Sequence, residues 1–309
     1  MSLWGICALF DPSALRLENA FRFAKRVRAQ GLKLCIVTLG REEQLLPDCD
    51  LWIELSGGAR LWQKERMLNV ALEALPPDCD LVAWLDADVL FENDGWMEDT
   101  ERALRNFLVV QLFDQVFDDS EYVTSMAACH KFEHAKPVCI GHPGFAWAAH
   151  RELLAKHGFY DRSIIGGGDT VMAWASYGLL WPGYERAPAY FSPAHLADIA
   201  EWSRGWHADV NGNVGLVLGT IRHLFHGPKD TRKYMERTRI LKDYDFDPNQ
   251  DIIKGGDVWR WSSEKAPLHR AVLAYLDGRE SLQSANAGKP VAAVERSEEH
   301  QQKETVRQR

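Results

Sequence analysis

Leu81-Val-Ala-Trp-Leu85, followed at once by Asp86-Ala87-Asp88, decides the reading of this 309-residue chain. Five apolar residues in a row suit a strand buried on both faces, as in a parallel sheet covered by helices. The two carboxylates then stand at the carboxyl end of that strand, and Val89-Leu90-Phe91 resumes the apolar run behind them. Ionised groups in such dry surroundings are costly unless something holds them. Hard oxygen ligands at this spacing suit Mg²⁺ or Mn²⁺. A bare Asp-x-Asp more often caps a turn, and here the apolar setting on both sides favours the metal reading.

Working outward, residues 3–10 form an apolar run broken by Asp11-Pro12, and 14–30 carry Leu15, Leu17, Phe21, Ala24 and Val27 at helical spacing. Residues 33–39 and 51–55 read as further strands. Residues 60–75 read as a helix with Leu61, Leu68, Leu72 and Leu75 on one face, stopped by Pro76-Pro77. Alternation of this kind predicts parallel pairing in a doubly wound α/β sheet, with ligands beyond the carboxyl ends of the strands. The second half is less regular: strands at 107–113, 145–149 and 219–225, and helices at 169–177, 194–206 and 230–242. From residue 281 the aromatics cease, and the polar mixed-charge stretch 281–309 reads as a disordered tail.

The composition, 46% hydrophobic and 26% charged, is that of a globular protein with a full core. Thirty-six Lys and Arg against 44 Asp and Glu give a net charge of −8, which repels nucleic-acid backbones and anionic membranes. Six scattered cysteines without a CxxC pair read as reduced and mostly buried. The amino terminus lacks the basic region of a signal peptide, and no apolar stretch reaches the roughly 20 residues of a membrane span. A cytoplasmic protein without nucleic-acid or transmembrane partners is expected.

Three stretches extend the pattern: LWQKERMLNVALEALPPDCDLVAWLDADVLFEN (61–93), GHPGFAWAAHRELLAKHGFYDRSIIGGGDTVM (141–172) and IRHLFHGPKDTRKY (221–234). Together they resemble the nucleotide-sugar-dependent glycosyltransferases of the GT-A fold, of the family 2-like kind. The likeness spans about residues 2 to 260. It implies a Rossmann-like mixed sheet flanked by helices with a less regular acceptor region. It also implies one domain over 1–280, with a nucleotide-sugar half to about 110 and an acceptor and metal-completing half after it.

The resemblance assigns roles residue by residue. Asp88 is the first choice for Mn²⁺ or Mg²⁺, with Asp86 reaching the donor ribose or a metal-bound water beside Ala87. A late histidine completes the metal site. A straight strand turns His223 and His226 to opposite faces, so one of them is expected there, and His226 is favoured because Gly227-Pro228 ends the strand. Lys229 and Arg232 would offset diphosphate charge. Lys64 would swing to a phosphate, Asn69 would fix the loop around the nucleotide, and Gly144 would place backbone against the donor sugar.

Asp169 follows three glycines, with Gly168 standing where many relatives carry a second acid. It is either a plain helix N-cap or the base that takes a proton from the acceptor hydroxyl. Trp202 and Trp206, four apart on one helical face, are offered as an acceptor platform, although large aromatics are first of all core residues. The expected activity is hexosyl transfer from a UDP- or GDP-sugar to a glycan or other hydroxyl acceptor, inverting if Asp169 is the base. The alternatives are a non-catalytic nucleotide-sugar or glycan-binding protein, and a phosphohydrolase using Asp86 as nucleophile. The latter is disfavoured because Val89-Leu90 stands where that family carries Gly-Thr.

Overall fold

The apolar run 81–85 is fully buried as a strand, and the layers of the molecule are arranged around it. A computed structural model of the chain describes residues 1–10, 13–40, 47–118, 121–132, 141–179, 190–227 and 234–286. In chain order the first half comprises β1 (Leu3–Phe10), α1 (Ala14–Ala29), β2 (Lys33–Leu39), β3 (Leu51–Leu55), α2 (Lys64–Ala74), β4 (Leu81–Leu85), β5 (Val89–Phe91), α3 (Trp96–Ala103), β6 (Val109–Gln111), β7 (Gln115–Asp118), β8 (Glu121–Thr124) and α4 (Met126–Phe132). The second half comprises β9 (Ala146–His150), α5 (Arg151–His157), α6 (Gly168–Ser176), α7 (Pro193–Val210), β10 (Val214–Leu216), β11 (Thr220–His223), α8 (Tyr234–Asp243), α9 (Pro248–Asp251), β12 (Ile252–Gly255), β13 (Val258–Trp261) and α10 (Ala266–Asn286).

A seven-stranded sheet in the order β10-β6-β9-β4-β1-β2-β3 forms the frame, and a four-stranded sheet β5-β11-β7-β8 stands beside it. The pairs β1–β2, β2–β3, β1–β4 and β6–β10 are parallel, as the alternation predicts. Strand β9 departs from that expectation and runs antiparallel between β4 and β6. It begins at the carboxyl edge of β4, with Ala146 opposite Leu85, where Asp86 N–H donates to the Phe145 carbonyl at 2.8 Å.

Each face of the main sheet buries its own cluster. Met67, Leu68 and Ala71 of α2 pack with Trp84, Trp147 and Trp206 on one side, and Phe23 and Val27 of α1 pack with Ile36, Leu85 and Trp96 on the other. Ser13 and Ser192 cap α1 and α7 through their side chains. Helix α2 begins at Lys64, later than the leucine spacing predicts, because backbone at its start is committed elsewhere. Ala59 N–H donates to Trp259 and Trp62 N–H to Ile164. The late start puts Lys64 and Glu65 in the first turn.

Three expectations are corrected here. Trp206 is fully buried, with its indole N–H on Ser176 Oγ at 2.8 Å, and Trp202 stacks on it while donating to the His157 carbonyl. Their shared face is core packing, so they form no acceptor platform. The boundary at 280 falls inside α10, whose Leu268, Val272, Tyr275 and Leu276 anchor to a third cluster with Leu241 and Trp259. A helix anchored there propagates at one hydrogen bond per added residue, and residues 287–309 lie outside the described residues. Cys129 is disulfide-bonded rather than reduced, whereas Cys7, Cys35, Cys49 and Cys79 are free. No helix among the described residues is long and apolar enough to cross a membrane.

One core residue stands out energetically. His195 on α7 is fully buried against Phe191, Phe246 and Tyr160, and neither ring nitrogen has a hydrogen-bond partner among the described residues. Burial pushes its pKa down to about 3. Below its ordinary pKa of about 6.5 the unfolded chain takes up a proton that the native ring refuses, so native stability falls as pH drops from there toward 3, by about 1.4 kcal/mol per unit. His195→Leu removes both this pH dependence and a buried unsatisfied group. Calorimetric scans at about pH 7.5 and about pH 5 should show a smaller loss of Tm for the variant than for the wild type on acidification.

Candidate active site

The chain leaves the seven-stranded sheet at Leu85 and joins the four-stranded sheet at Val89, so Asp86, Ala87 and Asp88 span the gap between the sheets. Strand β11 pairs antiparallel with β5, setting His223 opposite Val89. The ladder stops there. Leu224 N–H donates to the Asp88 carbonyl at 2.7 Å, and the backbone then turns. That turn overrides strand alternation: both histidines face Asp88, with Nε2 of His226 3.3 Å and Nε2 of His223 3.6 Å from Asp88 Oδ2. The expectation that only one of them can face the site therefore fails, because the strand ends before it reaches His226.

Asp88, His223 and His226 each offer a ligand atom, all within 4.8 Å of one another, and can hold a metal ion. Asp118 at the end of β7 is hydrogen-bonded to His223 Nδ1 at 2.7 Å, which fixes the ring and leaves Nε2 facing Asp88. Asn19 of α1, itself buried, donates to the carbonyls of Leu224 and Phe225 and ties down the turn between the histidines. Phe145, at φ 75°, lays its ring against His223. A left-handed phenylalanine is strained, and such strain persists where surroundings over-determine it. Burial pushes the Asp88 carboxyl up, but His223, His226 and Arg16 outweigh it and hold the group well below the usual carboxylate range. Asp88 Oδ1 is buried with no hydrogen-bond partner among the described residues, which suits a carboxylate awaiting a cation.

A second cluster adjoins the first. Lys64 is ion-paired with Asp86 and is the cation around which Asp86, Glu65 and Asp169 gather. Burial disfavours its charge, yet the three acids outweigh that and raise its pKa. Asp86 is thus engaged by Lys64 and is not part of the histidine cluster. Asp169, in the first turn of α6, is pushed up by burial, but Lys64, Arg237 and His142 prevail and leave it below the usual range. Its carboxylate approaches bare backbone: a Cβ on Gly144 would stand 2.6 Å from Asp169 Oδ2. Glu65 is pushed up to about 7 by burial, against the pull of Lys64.

The remaining expected residues separate. Asn69 holds the loop at Phe159 and Asp161 through its amide and does not reach the cluster. Ala87 is half-buried between the two acids. Lys229 and Arg232 lie outside the described residues. Sequence reasoning missed Asn19, Asp118, Glu65, Arg16 and Arg237. Only Glu65 carried a signal, as a charged residue next to Lys64 on the helix start; the others come from elements distant in the chain.

No family model matches the chain, and no curated protein matches it. Among solved structures, the chain is similar to glucosyl-3-phosphoglycerate synthase from Mycobacterium tuberculosis in complex with Mn²⁺, UDP and phosphoglyceric acid, at 14% identity and TM-score 0.42 over 78% of each chain. It is similar to a Drosophila β1,4-galactosyltransferase 7 mutant in complex with manganese, UDP-Gal and xylobiose, at 12% identity and TM-score 0.43 over 84% of this chain and 93% of that one. It is also similar to 4-diphosphocytidyl-2C-methyl-D-erythritol synthase from Anaerococcus prevotii, at 16% identity and TM-score 0.38 over 71% and 87%. Likeness at this level assigns no activity to this chain.

The residues behind the histidines generate a prediction. Asp118→Asn and Asn19→Ala should each weaken Mn²⁺ binding by roughly 10- to 100-fold while leaving the far-ultraviolet spectrum unchanged. Free Mn²⁺ measured by electron paramagnetic resonance during titration gives the affinities.

Proposed function

We propose that the protein is a metal-dependent glycosyltransferase of GT-A type, moving a hexose from a UDP- or GDP-sugar to an acceptor hydroxyl. The observation that carries this reading is the convergence of Asp88, His223 and His226 beside Lys64 and Asp169 at the carboxyl edge of the sheet. That edge is where open α/β sheets bind nucleotides. Asp88, His223 and His226 would hold the ion, and two imidazoles with one carboxylate favour Mn²⁺ over Mg²⁺, which prefers an all-oxygen shell. Bound there, a divalent ion supplies Lewis-acid stabilisation of the departing nucleoside diphosphate.

The chain's own groups do the rest. Lys64 and Arg16 carry positive charge toward the diphosphate in a protein of net charge −8. Asp169, ionised at neutral pH and held in place by Thr170 N–H at 2.7 Å, accepts the proton of the acceptor hydroxyl as that oxygen attacks the anomeric carbon. A single displacement of this kind inverts the anomeric configuration. His142, whose Nδ1 accepts from Gly144 N–H at 3.1 Å, stiffens the turn against which Asp169 rests.

Incubating the protein with UDP- and GDP-hexoses and Mn²⁺ should release nucleoside diphosphate, and release should stop in excess EDTA. Asp88→Asn should lose Mn²⁺ and nucleotide binding together. Asp169→Asn should keep both and lower turnover by at least about 100-fold, because Asn matches Asp in outline but takes no proton. Asp169 does not cap α6, whose N-cap is Gly167, so wild-type turnover by Asp169→Asn would leave Asp169 without a role in transfer and point to a retaining mechanism.

A further inference from the structure

Gly168 has no conformational need to be glycine. It opens α6 in ordinary helical backbone, unlike Gly166 at φ 92° and Gly167 at φ 99°. Its need is for space. A Cβ placed on it would stand 2.5 Å from Glu65 Cδ, 2.6 Å from Cγ and 2.7 Å from Oε1. The Glu65 carboxyl, from the first turn of α2, occupies the volume in which any side chain at 168 would begin, one residue from Asp169. Glu65 is only 5% exposed, and a buried acid in such a position is costly unless its charge is used.

The groups facing Glu65 are Lys64 of its own helix, Asp169 of α6 and Asp86 beyond β4. Around Asp169 stand in addition Arg237, whose guanidinium lies 3.1 Å from where a Gly166 Cβ would be, and His142. Three carboxyls therefore share Lys64, and each added negative charge weakens the hold of that ammonium on the other two.

We propose that Glu65 is a positioning residue for transfer: in the space cleared by Gly168, its carboxylate offsets Lys64 and so strengthens Asp169 as the acceptor of the hydroxyl proton. This rests on the reading of Asp169 as base. In the step it serves, the O–H proton passes to Asp169, the acceptor oxygen bonds to the anomeric carbon, and the bond to the diphosphate breaks with its electron pair leaving on the diphosphate. Burial, opposed by Lys64, brings Glu65 to about 7, so its charge appears across neutral pH. With Glu65 neutral, Lys64 and Arg237 hold Asp169 as a weak base; with Glu65 ionised, Asp169 gains basicity. A Glu65 that merely packs would be replaced by glutamine without kinetic consequence.

The test compares wild type, Glu65→Gln, Glu65→Asp and Gly168→Ala, following UDP release from UDP-glucose and UDP-galactose with Mn²⁺ across pH 5.5 to 8.5. Wild-type kcat should rise through about pH 7, and Glu65→Gln should lose that rise and run about tenfold slower at high pH, as a one-unit fall in the basicity of Asp169 permits. The donor KM should stay within about twofold, because glutamine preserves the packing. Glu65→Asp should retain the rise, and Gly168→Ala, which displaces the carboxyl without removing it, should blunt it. A Glu65→Gln profile superimposable on the wild type overturns the proposal. Carboxyl infrared titration of the substrate-free protein provides a second readout, with the Glu65 band assigned from Glu65→Gln. Asp169 is already ionised when Glu65 titrates, so the Glu65 band should titrate lower in Asp169→Asn than in wild type, and an unshifted band overturns the coupling. Absence of turnover in the wild type with every donor overturns the transferase reading alone, since the infrared result still decides between Glu65 coupled to Asp169 and Glu65 inert.

Discussion

The backbone hydrogen bond from Leu224 N–H to the Asp88 carbonyl joins the two halves of the site, and the rest of the arrangement depends on it. It forms where β4 has ended and β5 begins, at the crossing between the two sheets. It continues the β11–β5 pairing one step past His223, and beyond it the chain leaves the strand course and brings His226 to the same carboxylate. Asn19 closes the turn from the side of α1, and Asp118 closes it from β7. Three elements from distant parts of the sequence thus hold two imidazoles against one carboxylate with little freedom to relax. Such preorganisation is what a metal-binding group requires of its scaffold.

The same crossing divides the labour of the two aspartates. Asp86 and Asp88 are two residues apart, yet their surroundings push them in opposite directions. Burial dominates at Asp86 and raises its pKa despite Lys64, whereas the paired imidazoles dominate at Asp88 and lower it. One carboxylate belongs to the lysine cluster with Asp169 and Glu65, and the other to the histidines. The two acids thereby fall into adjacent but separate sets of side chains.

What was legible in the sequence was whatever local pattern controls. The continuous apolar strand 81–85, its acid pair and the glycines before Asp169 all stand where the spacing predicts. Lys64 was legible because helix α2 carries it at its first turn, although not the late start that puts it there. Partnerships across the fold were not legible. The antiparallel course of β9 follows from where the chain enters the sheet, and the convergence of His223 and His226 follows from a turn that strand periodicity cannot contain. Trp206 carries the composition of a sugar platform and is core, because Ser176 satisfies its indole inside the molecule. Glu65 looks like an ordinary helix-start acid until the missing side chain at Gly168 shows where its carboxyl goes.

Pulsed electron paramagnetic resonance of the Mn²⁺-loaded protein tests the central claim, that the two histidines and Asp88 form one centre facing a diphosphate. The spectra should show nitrogen couplings from two imidazoles, reduced to one in His223→Ala and in His226→Ala, and a phosphorus coupling on addition of UDP. Mn²⁺ bound without nitrogen coupling, or UDP bound without phosphorus coupling to the ion, would contradict the account.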